Sequence, residues 1–298
     1  MKKTKKVWCD NILIYGLGAI GGSIGLKIKD LGLAKTVYGI SRTQESVDLA
    51  QKKGCIDQGS TNLDLVSKAD FIIFAVPPLK VLEILRKIAP FLTKKVYLTD
   101  VSSVKGKVYY EIDKFINDLK ERNNQKIKYI GSHPMAGTEK KGVKHSFKEM
   151  LDSAVTLITP FEGTADIDIR RMKEFWGAFG CRVKTISVDK HDEFTAFTSH
   201  FPHVLAFLMV ELVASEFKAD KVIKLAIGGS FKDMTRVTGS DPELWSEIFM
   251  MNSENIAKVL NIYKKNIADF ETLLETKDHE KITEFLKKSQ KHRNQLMG

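Results

Sequence analysis

Cysteine is scarce in this 298-residue chain. Cys9, Cys55 and Cys181 are scattered and form no C-x-x-C pair. That excludes a disulfide framework or a zinc ribbon, and a reducing compartment is expected. Long apolar runs are missing too. The basic start (Lys2, Lys3, Lys5, Lys6) has the look of a secretory n-region. Asp10, Gly16, Gly18, Gly21, Gly22 and Gly25 interrupt the apolar stretch after it, and no small-residue cleavage site is seen. No later window supplies the roughly 18 uncharged apolar residues of a membrane span. A cytoplasmic protein is expected, with the lysine-rich start a frayed, solvated tail. Acid is in deficit: 47 Lys and Arg against 37 Asp and Glu leave a net +10. The excess asks for an anionic partner, and composition does not choose among nucleic acid, a membrane surface and small acidic ligands. Repeats of 20–50 residues and low-complexity tracts are also lacking, which excludes a solenoid. At 43% hydrophobic and 28% charged, the chain is globular and long enough for two domains.

From Asn11 onward, short β-branched runs alternate with amphipathic stretches. Strands are expected at Asn11–Tyr15, Thr36–Ile40, Phe71–Val76, Val96–Val101, Ile127–Ile130, Val155–Thr159 and Arg182–Val188. Helices are expected near 20–31, 44–54, 79–89, 105–121 and 167–179. Nearly continuous apolar strands separated by helices predict a largely parallel sheet covered on both faces; the later strands need not all be parallel. After Asp189 the pattern turns all-helical, through 191–216, 219–228, 242–275 and 278–296. Asp241-Pro242 marks a helix start. Beyond it Phe249, Ile256, Leu260, Tyr263, Ile267, Phe270 and Leu274 form an a/d seam, read as packing within the chain or against a second copy. The fold class is therefore α/β over 9–188, and a glycine-rich turn after the first strand, Gly16-x-Gly18-x-x-Gly21, makes this a Rossmann-type dinucleotide-binding domain. An all-α domain over 189–298 follows, with a homodimer expected through its helices because so small a helical unit has limited core of its own.

The first strand runs directly into Gly16-Leu-Gly18-Ala19-Ile20-Gly21, a G-x-G-x-x-G turn at a helix start. The first glycine permits the tight turn, the second lets backbone approach a pyrophosphate, and the third lets helix pack on strand. Unpaired N–H groups at the helix start then face the phosphates. After the second strand, where an NAD-binding unit usually carries an acid, this chain has Ser41-Arg42-Thr43. Arg42 can pair with a 2′-phosphate and its neighbours can donate to it, which favours NADP over NAD.

Polar residues gather at three further places. Thr99-Asp-Val-Ser-Ser103-Val-Lys105 and Gly131-Ser-His133-Pro-Met-Ala-Gly137-Thr-Glu139 follow strands at the carboxyl edge of the sheet, so Ser103 and His133 are expected to face one crevice. Ser199-His200-Phe-Pro-His203 and Gly228-Gly-Ser-Phe-Lys232-Asp233-Met-Thr-Arg236 are helical. Hydride transfer from an alcohol needs an acceptor for the hydroxyl proton, a task suited to neutral His133. An anionic substrate needs a carboxylate clamp, which the Arg236 fork can supply. The plainer readings are a histidine that only satisfies backbone groups and a solvated arginine. His200 and His203 have no third ligand at a zinc spacing, and no metal site is expected.

Taken in order, Gly16-x-Gly18-x-x-Gly21, Asp100-Val-Ser-Ser103-Val-Lys105, His133-Pro-Met-Ala-Gly137-Thr-Glu139, Ser199-His200-Phe-Pro-His203, Phe231-Lys-Asp233-Met-Thr-Arg236, Asp241-Pro and Trp245 resemble the prephenate/arogenate dehydrogenase family of tyrosine biosynthesis. The resemblance spans nearly the whole chain. It implies oxidative decarboxylation of prephenate to 4-hydroxyphenylpyruvate, or of arogenate to tyrosine, with a nicotinamide cofactor. It implies that His133 takes the proton of the ring hydroxyl and that Ser103 orients both. Arg236 would bind a substrate carboxylate and His203 would line the pocket, with Lys232 and Glu139 as supporting charges. His203 favours prephenate over arogenate. Neither a fused chorismate mutase segment nor an appended regulatory domain is expected.

A β-hydroxyacid dehydrogenase shares the two-domain plan but would need a helix-borne catalytic lysine in place of the His-Pro-Met-Ala-Gly segment. A nucleotide-sensing regulator is the more distant alternative. No basic helix with base-reading spacing is present, and neither nucleic acid nor membrane is expected as a partner.

Overall fold

Ile12, Leu13 and Ile14 are fully buried in the first strand, β1 (Cys9–Tyr15), as a strand covered on both faces requires. Their side chains alternate between two cores: Ile12 and Ile14 join one, Leu13 the other. The same alternation runs through β4 (Phe71–Phe74), where Phe71 and Ile73 face the first core and Ile72 and Phe74 the second. The remaining strands are β2 (Ala34–Ile40), β3 (Gln58–Ser60), β5 (Val96–Asp100), β6 (Ile127–Pro134), β7 (Val155–Pro160) and β8 (Arg182–Thr185). Helices α1 (Ala19–Leu31), α2 (Gln44–Lys52), α3 (Pro78–Ile88), α4 (Gly106–Asn123) and α5 (Asp166–Ala178) intervene. The coordinates are a computed structural model that describes residues 7–123, 127–218 and 221–298. The lysine-rich start and the first two residues of the helix expected from 219 lie outside them.

The eight strands form one sheet in the order β3-β2-β1-β4-β5-β6-β7-β8. All pairings from β3 to β6 are parallel, giving a Rossmann-type arrangement whose strand order reverses between β1 and β4. β3 was not expected: Gln58-Gly-Ser carries no apolar signal, and it forms by edge pairing with β2. β6 runs four residues past its expected end at Ile130. Its first half pairs parallel with β5, while Ile130–Pro134 pairs antiparallel with β7. His133 is therefore on a strand, opposite Leu157, rather than in the loop after it.

From Val188 the chain is helical: α6 (Val188–Thr195), α7 (Phe201–Phe217), α8 (Lys221–Ala226), α9 (Gly229–Thr235), α10 (Pro242–Met251), α11 (Ser253–Glu275) and α12 (His279–Met297). Two expected helices are broken, the first by a π turn at Ala196–His200. The short helix expected to 228 ends at Ala226, and Gly228 opens another. The long helix expected over 242–275 stops at Asn252. This residue is buried, and its amide is drawn off to the carbonyl of Asp192 (2.7 Å) and to His200 Nδ1 (2.9 Å). The seam from Phe249 to Leu274 thus belongs to two helices. On α11 its Tyr263, Ile267 and Leu274 are exposed within this chain.

The expectation that no stretch could span a membrane also needs correction. Val188–Phe217, with a mean hydropathy of 1.4 in its best window, is long and apolar enough by length and composition. Its first part is nevertheless fastened to the start of α4 through the Asp192 carboxylate.

Backbone packing divides the chain between Asn252 and Ser253. The larger unit holds the sheet and α1–α10. In the smaller, α11 and α12 meet through Phe270 and Phe285, with ring centroids 5.3 Å apart.

Candidate active site

The glycine turn between β1 and α1 lies where the strand order reverses. Gly16 has φ +103°, and a Cβ there would stand 2.3 Å from the carbonyl oxygen of Ala75, beyond the end of β4. A Cβ on Gly21 would come 2.0 Å from the oxygen of Gly16, so only hydrogen lets the helix close onto the turn. Gly18 is different: nothing stands within 4 Å of its added Cβ. It is the N-cap of α1 and provides no side-chain acceptor, leaving the N–H groups of Ala19, Ile20 and Gly21 at an uncapped helix end beside open space. Such a turn fits a dinucleotide pyrophosphate. Beyond β2, Arg42 is exposed and Ser41 half-buried. Thr43 is already engaged as the N-cap of α2, accepting the Ser46 N–H at 3.3 Å.

Two strands away, β5 and β6 are joined at their carboxyl ends by a buried polar network. Lys105 Nζ donates to Asp100 Oδ2 (2.7 Å), Ser132 O (2.7 Å) and Ser102 O (3.2 Å), while Tyr129 donates to Asp100 Oδ1 (3.0 Å). Burial draws the Lys105 pKa down and Asp100 opposes it. These bonds fasten the turn bearing Ser103, itself half-buried, to the strand bearing His133.

His133 is 7% exposed. Its Nδ1 lies 2.9 Å from His191 Nε2, and His191 Nδ1 lies 2.8 Å from Asp192 Oδ1. Asp192 also accepts the N–H groups of Lys105 (3.0 Å) and Gly106 (2.6 Å) at the start of α4. Burial alone would raise Asp192; the His191 bond and those backbone donors bring it below its ordinary value. Burial pushes His133 well below the ordinary histidine value, and His191, Lys105 and His200 push the same way. The imidazole is therefore neutral at pH 7.

The helical segments contribute the rest. His200 has no exposed surface and receives the Asn252 amide on Nδ1; burial takes its pKa down to about 4. His203 stacks on Trp245 with centroids 3.5 Å apart, and its Nδ1 is 2.9 Å from the Ser199 carbonyl, which makes that nitrogen the donor. Arg236 Nη1 reaches Glu139 Oε2 at 3.3 Å. Arg236 also lowers the His203 pKa, after the larger effect of burial. Lys232 lies exposed on α9.

The expected residues thus meet in pairs, Arg236 with Glu139 and the His133 strand with the Ser103 turn. Sequence reasoning overlooked His191, Asp192 and Asn252 and gave Lys105 no task. The available signal was a His-Asp pair on a helical face, where burial of two adjacent ionisable groups demands partners.

The family model described as prephenate dehydrogenase, nucleotide-binding domain, matches residues 24–185, and that described as prephenate dehydrogenase, dimerization domain, matches 187–288. The Bacillus subtilis prephenate dehydrogenase is 29% identical over 289 residues, covering 96% of this chain and 76% of that protein. The crystal structure of prephenate dehydrogenase from A. aeolicus with hydroxyphenyl propionate and NAD+ is 31% identical, covers 96% of this chain and 98% of its own, and has a TM-score of 0.86. Synechocystis arogenate dehydrogenase is 25% identical with a TM-score of 0.76, over 96% of this chain and 99% of its own.

Proposed function

Given that the chain belongs to the prephenate dehydrogenase family, we propose that it catalyses NAD(P)-dependent oxidative decarboxylation of prephenate to 4-hydroxyphenylpyruvate, in the cytoplasm. The observation that carries the chemistry is His133: a buried, neutral imidazole on β6 with its Nδ1 occupied by His191, which leaves Nε2 for a substrate hydroxyl. Nicotinamide, when bound, accepts the hydride from the ring carbon. The uncapped turn of Gly16, Gly18, Ala19, Ile20 and Gly21 holds its pyrophosphate.

His133 takes the hydroxyl proton, and Ser103 orients that hydroxyl from the β5–α4 turn. Arg236 binds a substrate carboxylate, exchanging Glu139 for it, while His203 and Trp245 form an aromatic wall of the pocket. Lys232 adds positive charge from α9. Loss of CO2 makes the ring aromatic, so the protein supplies a base, orientation and placement of charge.

Arogenate is the second reading, since a structural relative is an arogenate dehydrogenase. NADP is favoured over NAD by exposed Arg42 in place of an acid after β2; the NAD+ in the A. aeolicus structure supports the other choice. We place the boundary between nucleotide-binding and helical regions at 188/189. The helical region forms a homodimer, supported by the family's dimerization domain and by exposed Leu208, Leu212, Tyr263 and Ile267.

A steady-state assay crossing prephenate and arogenate with NAD+ and NADP+ tests this. The highest kcat/KM is expected for prephenate with NADP+. A higher value for arogenate, or for NAD+, reverses the corresponding choice, and no turnover of either acid rejects the activity.

A further inference from the structure

We propose that His191 and Asp192 are positioning residues that hold His133 as its Nδ1–H tautomer, so that Nε2 meets the substrate hydroxyl as a proton acceptor. The proposal rests on His133 being the base.

The hydrogen-bond directions are fixed from one end of the chain of groups. The Asp192 carboxylate already accepts the Lys105 and Gly106 N–H groups at the start of α4, where the helix end favours negative charge. An ionised carboxylate only accepts, so the proton between Asp192 Oδ1 and His191 Nδ1 belongs to the histidine. Burial depresses the His191 pKa, the ring is neutral, and its Nε2 carries a lone pair. That lone pair lies 2.9 Å from His133 Nδ1, which must therefore carry hydrogen. His133 Nε2 is then the acceptor. Without these two partners, neutral imidazole prefers the Nε2–H form, which would offer the hydroxyl a donor in place of a base.

The same two partners serve the charged state. When the hydroxyl proton arrives on Nε2, the new imidazolium faces Lys105 from the β5–α4 turn and His200 from the π turn, both unfavourable. A charged His191 would oppose it as well, so His191 helps only as the neutral ring. The bond to His191, backed by Asp192, is the compensating contact. As hydride leaves the ring carbon, the O–H pair becomes the carbonyl π bond. Departure of CO2 returns an electron pair through the ring to that oxygen, which takes the proton back from Nε2. His133 ends in its starting tautomer.

The test uses the full chain labelled with 15N-histidine, with the His133 signal assigned by its loss in His133→Asn. In the wild-type protein, without substrate, the His133 nitrogen shifts should report protonated Nδ1 and bare Nε2. His191→Phe, a ring without an acceptor, should turn His133 to Nε2–H. Asp192→Asn should do the same. Its oxygen is needed by the α4 N–H groups, so its amide donates to His191 and inverts that ring.

On prephenate, His191→Phe should lower kcat by about 10²-fold with KM within about threefold, whereas His191→Gln, whose Oε1 can accept from Nδ1–H, should recover to within about tenfold of wild type. A wild-type Nε2–H signal overturns the proposal, as does a His191→Phe enzyme with unchanged kcat. Should His191→Phe fail to fold, Asp192→Asn and His191→Gln decide it by the same tautomer signal. Absence of prephenate turnover in the wild type would reject the activity alone, because the tautomer is read without substrate.

Discussion

Arg236 Nη1 lies 3.3 Å from Glu139 Oε2, across 97 positions of sequence. Arg236 is 63% exposed at its side chain and Glu139 32%, so solvent screens the pair and the carboxylate of the proposed substrate can displace Glu139. Arg236→Ala should raise KM for prephenate about 10- to 100-fold with kcat changed far less, the loss expected for a charge-assisted clamp. Glu139→Gln should lower KM about two- to fivefold at low salt, an advantage that shrinks as salt rises. An unaltered KM in Arg236→Ala places the clamp elsewhere.

His133→Ala should cost at least about 10²-fold in kcat while leaving nucleotide affinity intact. In the role proposed for it His133 works only when unprotonated, and its pKa is depressed in the folded protein. Activity should therefore persist on acidification below the ordinary histidine value of about 6.5. A pH profile of kcat with an acid midpoint at or above that value contradicts the assignment.

The two glycines of the turn should separate binding from folding. Gly18→Ser meets open space at a helix N-cap, where serine is favourable, so Tm should hold. The nucleotide Kd, read by titration, should rise about tenfold or more as the side chain enters the phosphate path. Gly21→Ala puts Cβ 2.0 Å from a backbone oxygen and should lower Tm outright.

Acid should destabilise the fold through buried histidines. His200 has a folded pKa of about 4 against an ordinary 6.5, so the unfolded chain binds its proton first. Its contribution is complete above pH 6.5 and is lost progressively towards pH 4. Calorimetry between these values should show Tm falling with pH, less steeply in His200→Gln. Equal slopes would mean that His200 does not titrate on unfolding.

How far the sequence could be read depended on how local each signal was. The apolar runs of β1 and β4, the glycine turn and the Asp241-Pro242 start are all written within a few residues, and the structure has them in place. β3 was missed because its stability comes from its neighbour. The end of β6 was missed because its last residues pair with β7 across a 20-residue connection.

By itself the sequence determined the alternating α/β plan, the Rossmann-type turn and the family, because spacing along one dimension encodes them. Which polar groups share a proton was decided only by the tertiary structure. His191 stands 58 residues from His133, and Asn252 reaches back 60 residues to Asp192 and 52 to His200. Burial sets the pKa of each of these histidines and a single bonded neighbour sets its tautomer. Neither burial nor neighbour exists until helix and sheet have packed.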